Sequence, residues 1–470
     1  MKLYKIIYCS LFFIILAIPL VGMLWYKEPE VTENKELAEK PGLLSGGMVN
    51  IRFLSDMDEY FSDHFAYRQE LVTANAVIMG QVFAQSSEEL AIVGKDDWLY
   101  LKVTLDDYQG TNRMSERGIN NVVSVIRLMQ EYTESQGKQF VFAGAPNKNT
   151  LYPQFMPYYY TRSSDLRNLE RVTEKLSQSG VSHVDLEALF REKNDILYHV
   201  GDSHWDNRGA AMVQHALLDE VAVPHTDFTK FEAAVRNDFQ GDIDKILYPQ
   251  NRHPETEYDY TKYMTYVYED TSDVTAMTVE TSQKQGNGMR LLCFRDSFGN
   301  SLLPFLAQDF DYAKFCKAIP YRMDLIAKEN YDICIVELVE RNLVHLIKFA
   351  PVMPAPLRAF SEVTESYESD KTIYEKTEFE EYYKYSGMTD AAYTDDTSPI
   401  YIRFSGNVAD YVVEAMPCDE SSISGTPSDY GYVAYVGMNA FPAGTYRVEL
   451  ITQKEGKYYS QVVEDAYIIP

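Results

Sequence analysis

The chain has 470 residues, 46% of them hydrophobic and 24% charged, enough to bury at least one large core and inconsistent with a disordered or fibrous protein. Its net charge of −27 argues against nucleic acid, whose phosphates demand a basic surface, and disfavours docking on anionic lipid. Five cysteines without a C-x-x-C pair or a regular spacing argue against a disulfide framework and against a structural zinc site.

Residues 1–26 read as an N-terminal transmembrane helix. Ile6 to Trp25 is an uncharged apolar run of about twenty residues, the length that spans a bilayer, and Lys2 and Lys5 before it favour a cytoplasmic start with the remainder outside the membrane. A cleaved signal peptide cut near Val21 or Gly22 is the competing reading, under which the chain is secreted. Residues 27–90 read as a polar tether followed by two amphipathic helices broken near Asp63 and His64.

Between 91 and 355, strand-like and helix-like segments alternate, which implies parallel strands covered by helices in a three-layer α/β domain. Ile119, Val122, Val123, Ile126 and Met129 mark a helix face; "KQFVFAGAP" reads as a strand, Asp165–Ser177 as a helix, Val181–Leu186 as a strand and Asn207–Glu220 as a third helix. Residues 230–288 have the poorest pattern and are expected to form an insertion or long loops beside the site. Beyond 356, short alternating runs separated by Gly, Pro, Ser and Asp predict a C-terminal antiparallel β-sandwich over 356–470. Its many tyrosines are good strand residues and also suit carbohydrate binding by stacking on sugar rings.

Ser297 stands where "CFRDSFGNSLL" turns from a buried strand into a helix, a position that presents a nucleophile at the sheet edge. First-turn N–H groups, that of Phe298 among them, can meet a developing oxyanion there. Arg295 to Gly299 has only the second glycine of a nucleophile elbow, so an ordinary α/β-hydrolase is not supported, and a helix cap remains the competing role for Ser297. In "YHVGDSHWDNRGA", Asp202 and His204 are two residues apart, which in an extended loop puts acid and imidazole on one side. Asp202 can then orient His204 toward Ser297, Trp205 can wall the pocket, and Asp206 or Asn207 can cap the next helix. A metal reading of His199, Asp202, His204 and Asp206 stays beside this one, but their spacing fits no standard ligand set, and neither metal nor cofactor is expected.

Five motifs occur in order: "GKDDWLYL", "APNKNTLYP", "DSHW" with "NRGA", "RDSFGNSLLPFL" and "VELVERNL". Over residues 93 to 345 they resemble the bacterial DHHW family, which is similar to the alginate O-acetyltransferase proteins of the AlgJ and AlgX type, with an SGNH-hydrolase-like catalytic domain. The resemblance implies Asp202 as acid, His204 as base and Ser297 as nucleophile, although Ser203 replaces the first histidine of DHHW and Arg295 replaces a small residue. It also implies transfer of acetyl groups to an extracytoplasmic polysaccharide, with a membrane-bound O-acyltransferase partner as supplier.

Asn147 and Lys148 are candidates for the oxyanion hole or for an acidic sugar, and Glu340 with Arg341 for an internal ion pair supporting the site. Two other functions compete: a glycan O-acetyl esterase, since water and a sugar hydroxyl are equivalent nucleophiles to the same residues, and a non-catalytic glycan-binding scaffold subunit.

Overall fold

The computed structural model describes residues 2–26, 38–45, 48–83, 85–193, 195–250, 253–407, 409–419 and 428–469. Most of the expected tether, 27–37, lies outside them. The apolar N-terminal run forms a helix, Lys2–Gly22, whose side chains are largely exposed. Among the described residues, no helix is long and apolar enough to cross a membrane, which corrects the expected transmembrane anchor. Pro19 lies in the last turn, and the helix ends with Gly22 set closely against Ala66 and Tyr67. Two helices follow, Phe53–His64 and Arg68–Phe83, with the break one residue past the expected place and His64 at the end of the first.

A seven-stranded sheet organises the next part. Its order is His183–Val184, Gln139–Ala145, Ile333–Val339, Arg290–Phe294, Tyr312–Cys316, Thr278–Ser282 and Val267–Tyr268. The first five strands are parallel and the last two antiparallel. The parallel strands are continuous apolar runs because both faces are covered. Helices Asn207–Glu220 and Gly299–Asp309 share one core with Val141, Ala143, Cys293 and Ile335; Glu116–Ser135 and Asn168–Ser179 share the other with Phe140, Phe142, Phe294 and Val336.

In Glu116–Ser135 the spacing of Ile119, Val122, Ile126 and Met129 puts one stripe on the sheet, and Ser115 Oγ accepts the Gly118 N–H at 2.8 Å to open the helix. The second predicted strand is only His183–Val184, because Asp185 caps a further short helix, Leu186–Arg191. Residues 230–288 are more ordered than their pattern suggested. They hold the hairpin Ala234–Phe239 with Glu255–Asp259, the helix Asp242–Leu247 and the two antiparallel edge strands.

The C-terminal region is β-rich as expected, but it forms one eight-stranded sheet rather than two separate ones. Strand Asp410–Cys418 pairs through its first part with Ile400–Gly406 and through its last residues with Gly431–Gly437, so the sheet folds over on itself. Tyr383, Tyr385, Tyr432, Tyr446 and Tyr467 fill the enclosed core, the strand role rather than a sugar-stacking one. This region packs on helix Glu116–Ser135: Glu414 accepts from Arg127 at 2.5 Å and from Arg358 at 2.7 Å, and Met416, Cys418 and Tyr435 join the core beneath that helix. None of the five cysteines forms a disulfide, and four of them are buried.

Candidate active site

Parallel strands deliver their following loops to one edge of the sheet, the usual position for a site in an open α/β fold. Gln139–Ala145 leads to Asn147 and Lys148, Arg290–Phe294 to Ser297, and Ile333–Val339 to Glu340 and Arg341. Ser297 is partly exposed in the turn before Gly299–Asp309. Its Oγ is 2.8 Å from His204 Nε2, and His204 Nδ1 is 2.6 Å from Asp202 Oδ1. The carboxylate fixes the tautomer: Nδ1 carries the proton toward Asp202, which leaves Nε2 as the acceptor for the serine hydroxyl.

Asp202 is itself clamped. Oδ1 accepts the His204 N–H at 2.8 Å and Oδ2 accepts the Asp242 N–H at 2.7 Å. Burial pushes the Asp202 carboxyl up, but His204 and the backbone donor outweigh it and hold the group well below the usual carboxylate range. Burial likewise disfavours charge on His204, yet Asp202 and then Asp242 dominate, so its pKa lies above that of an ordinary imidazole. A base of raised affinity next to a reachable hydroxyl can take the proton as that oxygen attacks an acyl carbon. Among the described residues the Ser297 N–H has no acceptor, which leaves it available to an oxyanion.

Residues that no motif pointed to hold this geometry. Asp242 Oδ1 accepts the Ser203 N–H at 2.9 Å and Oδ2 the Ser203 hydroxyl at 2.7 Å. Glu255 accepts the N–H groups of Val200 at 2.5 Å and Gly201 at 2.6 Å. Asp296 bridges the nucleophile turn to its neighbour: Oδ1 accepts the Phe298 N–H at 3.0 Å, and Oδ2 accepts the Val339 N–H and the Asn342 amide, each at 2.8 Å. Asp296 alone had a readable signal, since it precedes the serine in the strand-to-helix turn.

Several expected roles change. The Phe298 N–H is spent on Asp296, so it is no oxyanion donor; its buried ring packs edge-on against His204 at 4.7 Å and Trp205 at 4.8 Å. Trp205 is 1% exposed and stands behind Phe298, donating to Ser301 Oγ at 2.8 Å, so it supports the pocket without lining it. Lys148 is a buried pin: Nζ donates to the carbonyls of Leu99 at 2.7 Å, Val200 at 2.5 Å and Asp202 at 2.9 Å. Burial draws its ammonium down to about 7 against the pull of Asp202, Glu255 and Asp242. Asn147 is also buried; its amide donates to Asp107 at 2.9 Å and its N–H to Glu340 at 3.1 Å.

Glu340 and Arg341 do not pair with each other. Glu340 binds Arg167 at 2.5 Å, whereas Arg341 donates to Asn147 Oδ1 at 3.3 Å and lies over the Phe298 ring at 5.7 Å. Arg295, 1% exposed, turns under the helix start to reach Asn300 at 2.6 Å and the Val274 carbonyl at 2.8 Å, away from any substrate.

The metal set weighed from the sequence is not assembled. His199 faces Glu257 at 3.1 Å and stacks on Phe239, and Asp206 caps Asn207–Glu220 through Arg208 and Gly209. Donor atoms of Asp202, His204 and Asp242 do fall within 4.8 Å of one another. Each is already engaged, with His204 Nδ1 on Asp202, Asp202 on two N–H groups and Asp242 on Ser203.

Residues 91–285 match the family model described as the SGNH hydrolase-like domain of acetyltransferase AlgX. The first three of the five motifs lie within the match, and the last two, Ser297 included, lie beyond it. No curated protein matches. A DHHW family protein from Eubacterium siraeum DSM 15702 is similar over 54% of this chain and 95% of its own, with 17% identity and a TM-score of 0.40. Bacillus cereus PatB1 is similar over 53% and 95%, at 16% identity and a TM-score of 0.43. The O-acetyltransferase domain of Pseudomonas putida AlgJ is similar over 54% and 91%, at 17% identity and a TM-score of 0.38. The chemistry of the site rests on its own geometry.

Proposed function

We propose that this chain is an extracytoplasmic O-acetyltransferase that moves acetyl groups onto hydroxyls of a polysaccharide through an acetyl-serine intermediate. The observation that carries the proposal is the unbroken hydrogen-bonded run from Asp202 through His204 to Ser297, with 2.6 and 2.8 Å links. The AlgX-type match over 91–285 supports the acyl-transfer class. The apolar run behind Lys2 and Lys5 supports export.

In the proposed reaction, His204 Nε2 takes the Ser297 proton while Oγ attacks the acetyl carbonyl of a donor, and the Ser297 N–H meets the oxyanion. Asp202 stabilises the imidazolium. Collapse expels the donor's leaving group, which takes the proton from His204 and leaves acetyl-Ser297. A sugar hydroxyl then gives its proton to His204 and attacks the ester; collapse returns the proton to Ser297 Oγ and releases the acetylated glycan. The donor is an activated acetyl group, supplied under the proposal by a membrane-bound O-acyltransferase partner.

Intact mass spectrometry of the protein after incubation with 4-nitrophenyl acetate tests this directly. One added acetyl on Ser297 is expected, absent from Ser297→Ala and His204→Ala. A folded wild-type protein that never acquires the adduct would overturn the covalent mechanism and favour the scaffold role. Once the adduct exists, acetyl appearing on an added glycan marks a transferase, and acetate release undiminished by glycan marks an esterase.

A further inference from the structure

A glycan acceptor needs more surface than Ser297 and His204 present, and a groove of suitable chemistry lies elsewhere on the chain. Three consecutive tyrosines follow the segment that leaves Asn147. Tyr158 is 89% exposed and Tyr159 45%, unlike the tyrosines that fill the C-terminal core. The rings of Tyr158 and Tyr159 meet edge to face with centroids 5.5 Å apart, and Tyr159 tilts against Tyr160 at 4.7 Å. Tyr159 and Tyr160 line a groove together with the segment Gln85 to Glu89, Ala91 and Lys102.

The groove also offers polar groups of the right kind. The Ser87 hydroxyl is buried without a hydrogen-bond partner, a cost that a ligand hydroxyl would relieve. Among the described residues neither Lys102 nor Glu89 makes an ion pair, so a donor and an acceptor remain for sugar hydroxyls. Flat aromatic faces beside hydroxyl-bonding groups match a pyranose ring, which has an apolar C–H face and a polar rim. The charge matches an uncharged chain: Glu88 and Glu89 outnumber Lys102 in a molecule of net charge −27, a field that repels polyanions.

The groove is mechanically joined to the acid–base loop. The strand Leu99–Leu101 ends at Lys102, and Leu99 is bonded on both sides to that loop: its N–H donates to Val200 O at 2.9 Å and its carbonyl accepts Lys148, which also holds the Asp202 carbonyl. Leu99 and Lys102 are three residues apart, roughly 10 Å of extended chain.

We propose that the groove lined by Gln85–Glu89, Lys102, Tyr159 and Tyr160 binds an uncharged pyranose chain. The proposal rests on the reading of the acceptor as a polysaccharide. Its test is calorimetric titration of the full chain with cellohexaose and with chitohexaose, beside a galacturonate hexamer. At least one neutral hexamer is expected to bind, with the galacturonate at least tenfold weaker. The variant Tyr159→Ala should weaken the neutral hexamer at least tenfold with an unchanged melting temperature, and Tyr159→Phe, which keeps the stacking face, should bind as wild type. Binding of neither neutral hexamer, preference for the galacturonate, or wild-type affinity in Tyr159→Ala would each overturn it. The acetyl-serine experiment fails or succeeds independently of these titrations, so loss of the transferase reading and loss of the groove are separately visible.

Discussion

The loop that carries Asp202 and His204 and the turn that carries Ser297 are held by opposite means. In the first, every strong group is answered: Asp202 accepts two backbone N–H groups, Ser203 is tied to Asp242, Glu255 takes Val200 and Gly201, and Lys148 donates to three carbonyls. In the second, Asp296 braces the turn, but buried polar atoms are left unpaired beneath it. One register step past the pair Phe294 and Val336, Arg295 and Glu337 lie side by side, yet neither Glu337 oxygen nor Arg295 Nε has a hydrogen-bond partner. Full satisfaction fixes a rotamer and a tautomer, which the base requires. The nucleophile needs only its Oγ and N–H in place, and those are set by the strand-to-helix turn itself, so its floor can carry unpaired groups at some cost in stability.

If the loop is the rigid half, damage to it should cost most. Asp202→Asn is expected to lower turnover of 4-nitrophenyl acetate by about a thousandfold or more, because an amide neither stabilises the imidazolium nor selects the Nδ1–H tautomer. A loss below tenfold would mean that His204 works without this acid. Next is Lys148→Met, which keeps the stem but removes all three donors. The loop from Val200 to Asp202 then shifts, and a displacement near 1 Å is worth about a hundredfold in kcat, with KM little changed. A variant with wild-type kcat would show that Lys148 contributes only to folding.

Asp242→Asn probes the outer layer of the same loop. Its carboxylate lies 3.7 Å from His204 Nδ1 and helps to hold that imidazole's pKa up. Rate requires neutral His204, so the wild-type profile should rise with pH through a value above the ordinary imidazole figure of about 6.5. Removing the negative charge lowers that pKa, and the acidic limb should move to lower pH. At the plateau a roughly tenfold loss is expected, the equivalent of about 1.4 kcal/mol and of one charge-assisted hydrogen bond to Ser203. An acidic limb that stays in place would remove Asp242 from the electrostatics of the base.

The parallel strands, the two covering layers and the association of Asp202, His204 and Ser297 were legible because each is written in local pattern: continuous apolar runs, helical spacing, and a polar cluster beside a strand-to-helix turn. What escaped is non-local. Glu255 and Asp242 come from a stretch without periodicity, and only the hairpin pairing of Ala234–Phe239 with Glu255–Asp259 carries them to the loop. Lys148 and Asn147 looked exposed because they follow a strand end, yet the groups that hold them lie far along the chain: Asp107, Leu99 and Asp202 are 40 to 54 residues away and Glu340 is 193. Glu340 and Arg341 are adjacent in sequence, but the turn after Val339 sends one side chain inward to Arg167 and the other over Phe298.

Glu337→Gln addresses the unsatisfied half and should have the smallest effect on rate. Burial, reinforced by Asp296, holds the Glu337 carboxyl well above its ordinary value, while Arg295 and Arg341 only partly oppose this. A carboxyl with a raised folded-state pKa contributes stability that is fully present below the unfolded value of about 4.3 and is lost as pH rises through the folded value. Glutamine has the same shape and no charge to desolvate, so the variant should escape that loss. The melting temperatures of the two proteins should therefore coincide near pH 4 and separate as pH rises, with the variant higher by about 2 to 4 °C at pH 7, the shift expected for about 1 kcal/mol. Turnover should change less than about threefold, well below the loss of one hydrogen bond at the loop. A variant that melts lower at neutral pH and loses tenfold in kcat would mean that Glu337 is an anion paired with Arg295, and that the nucleophile turn is held as tightly as the loop opposite.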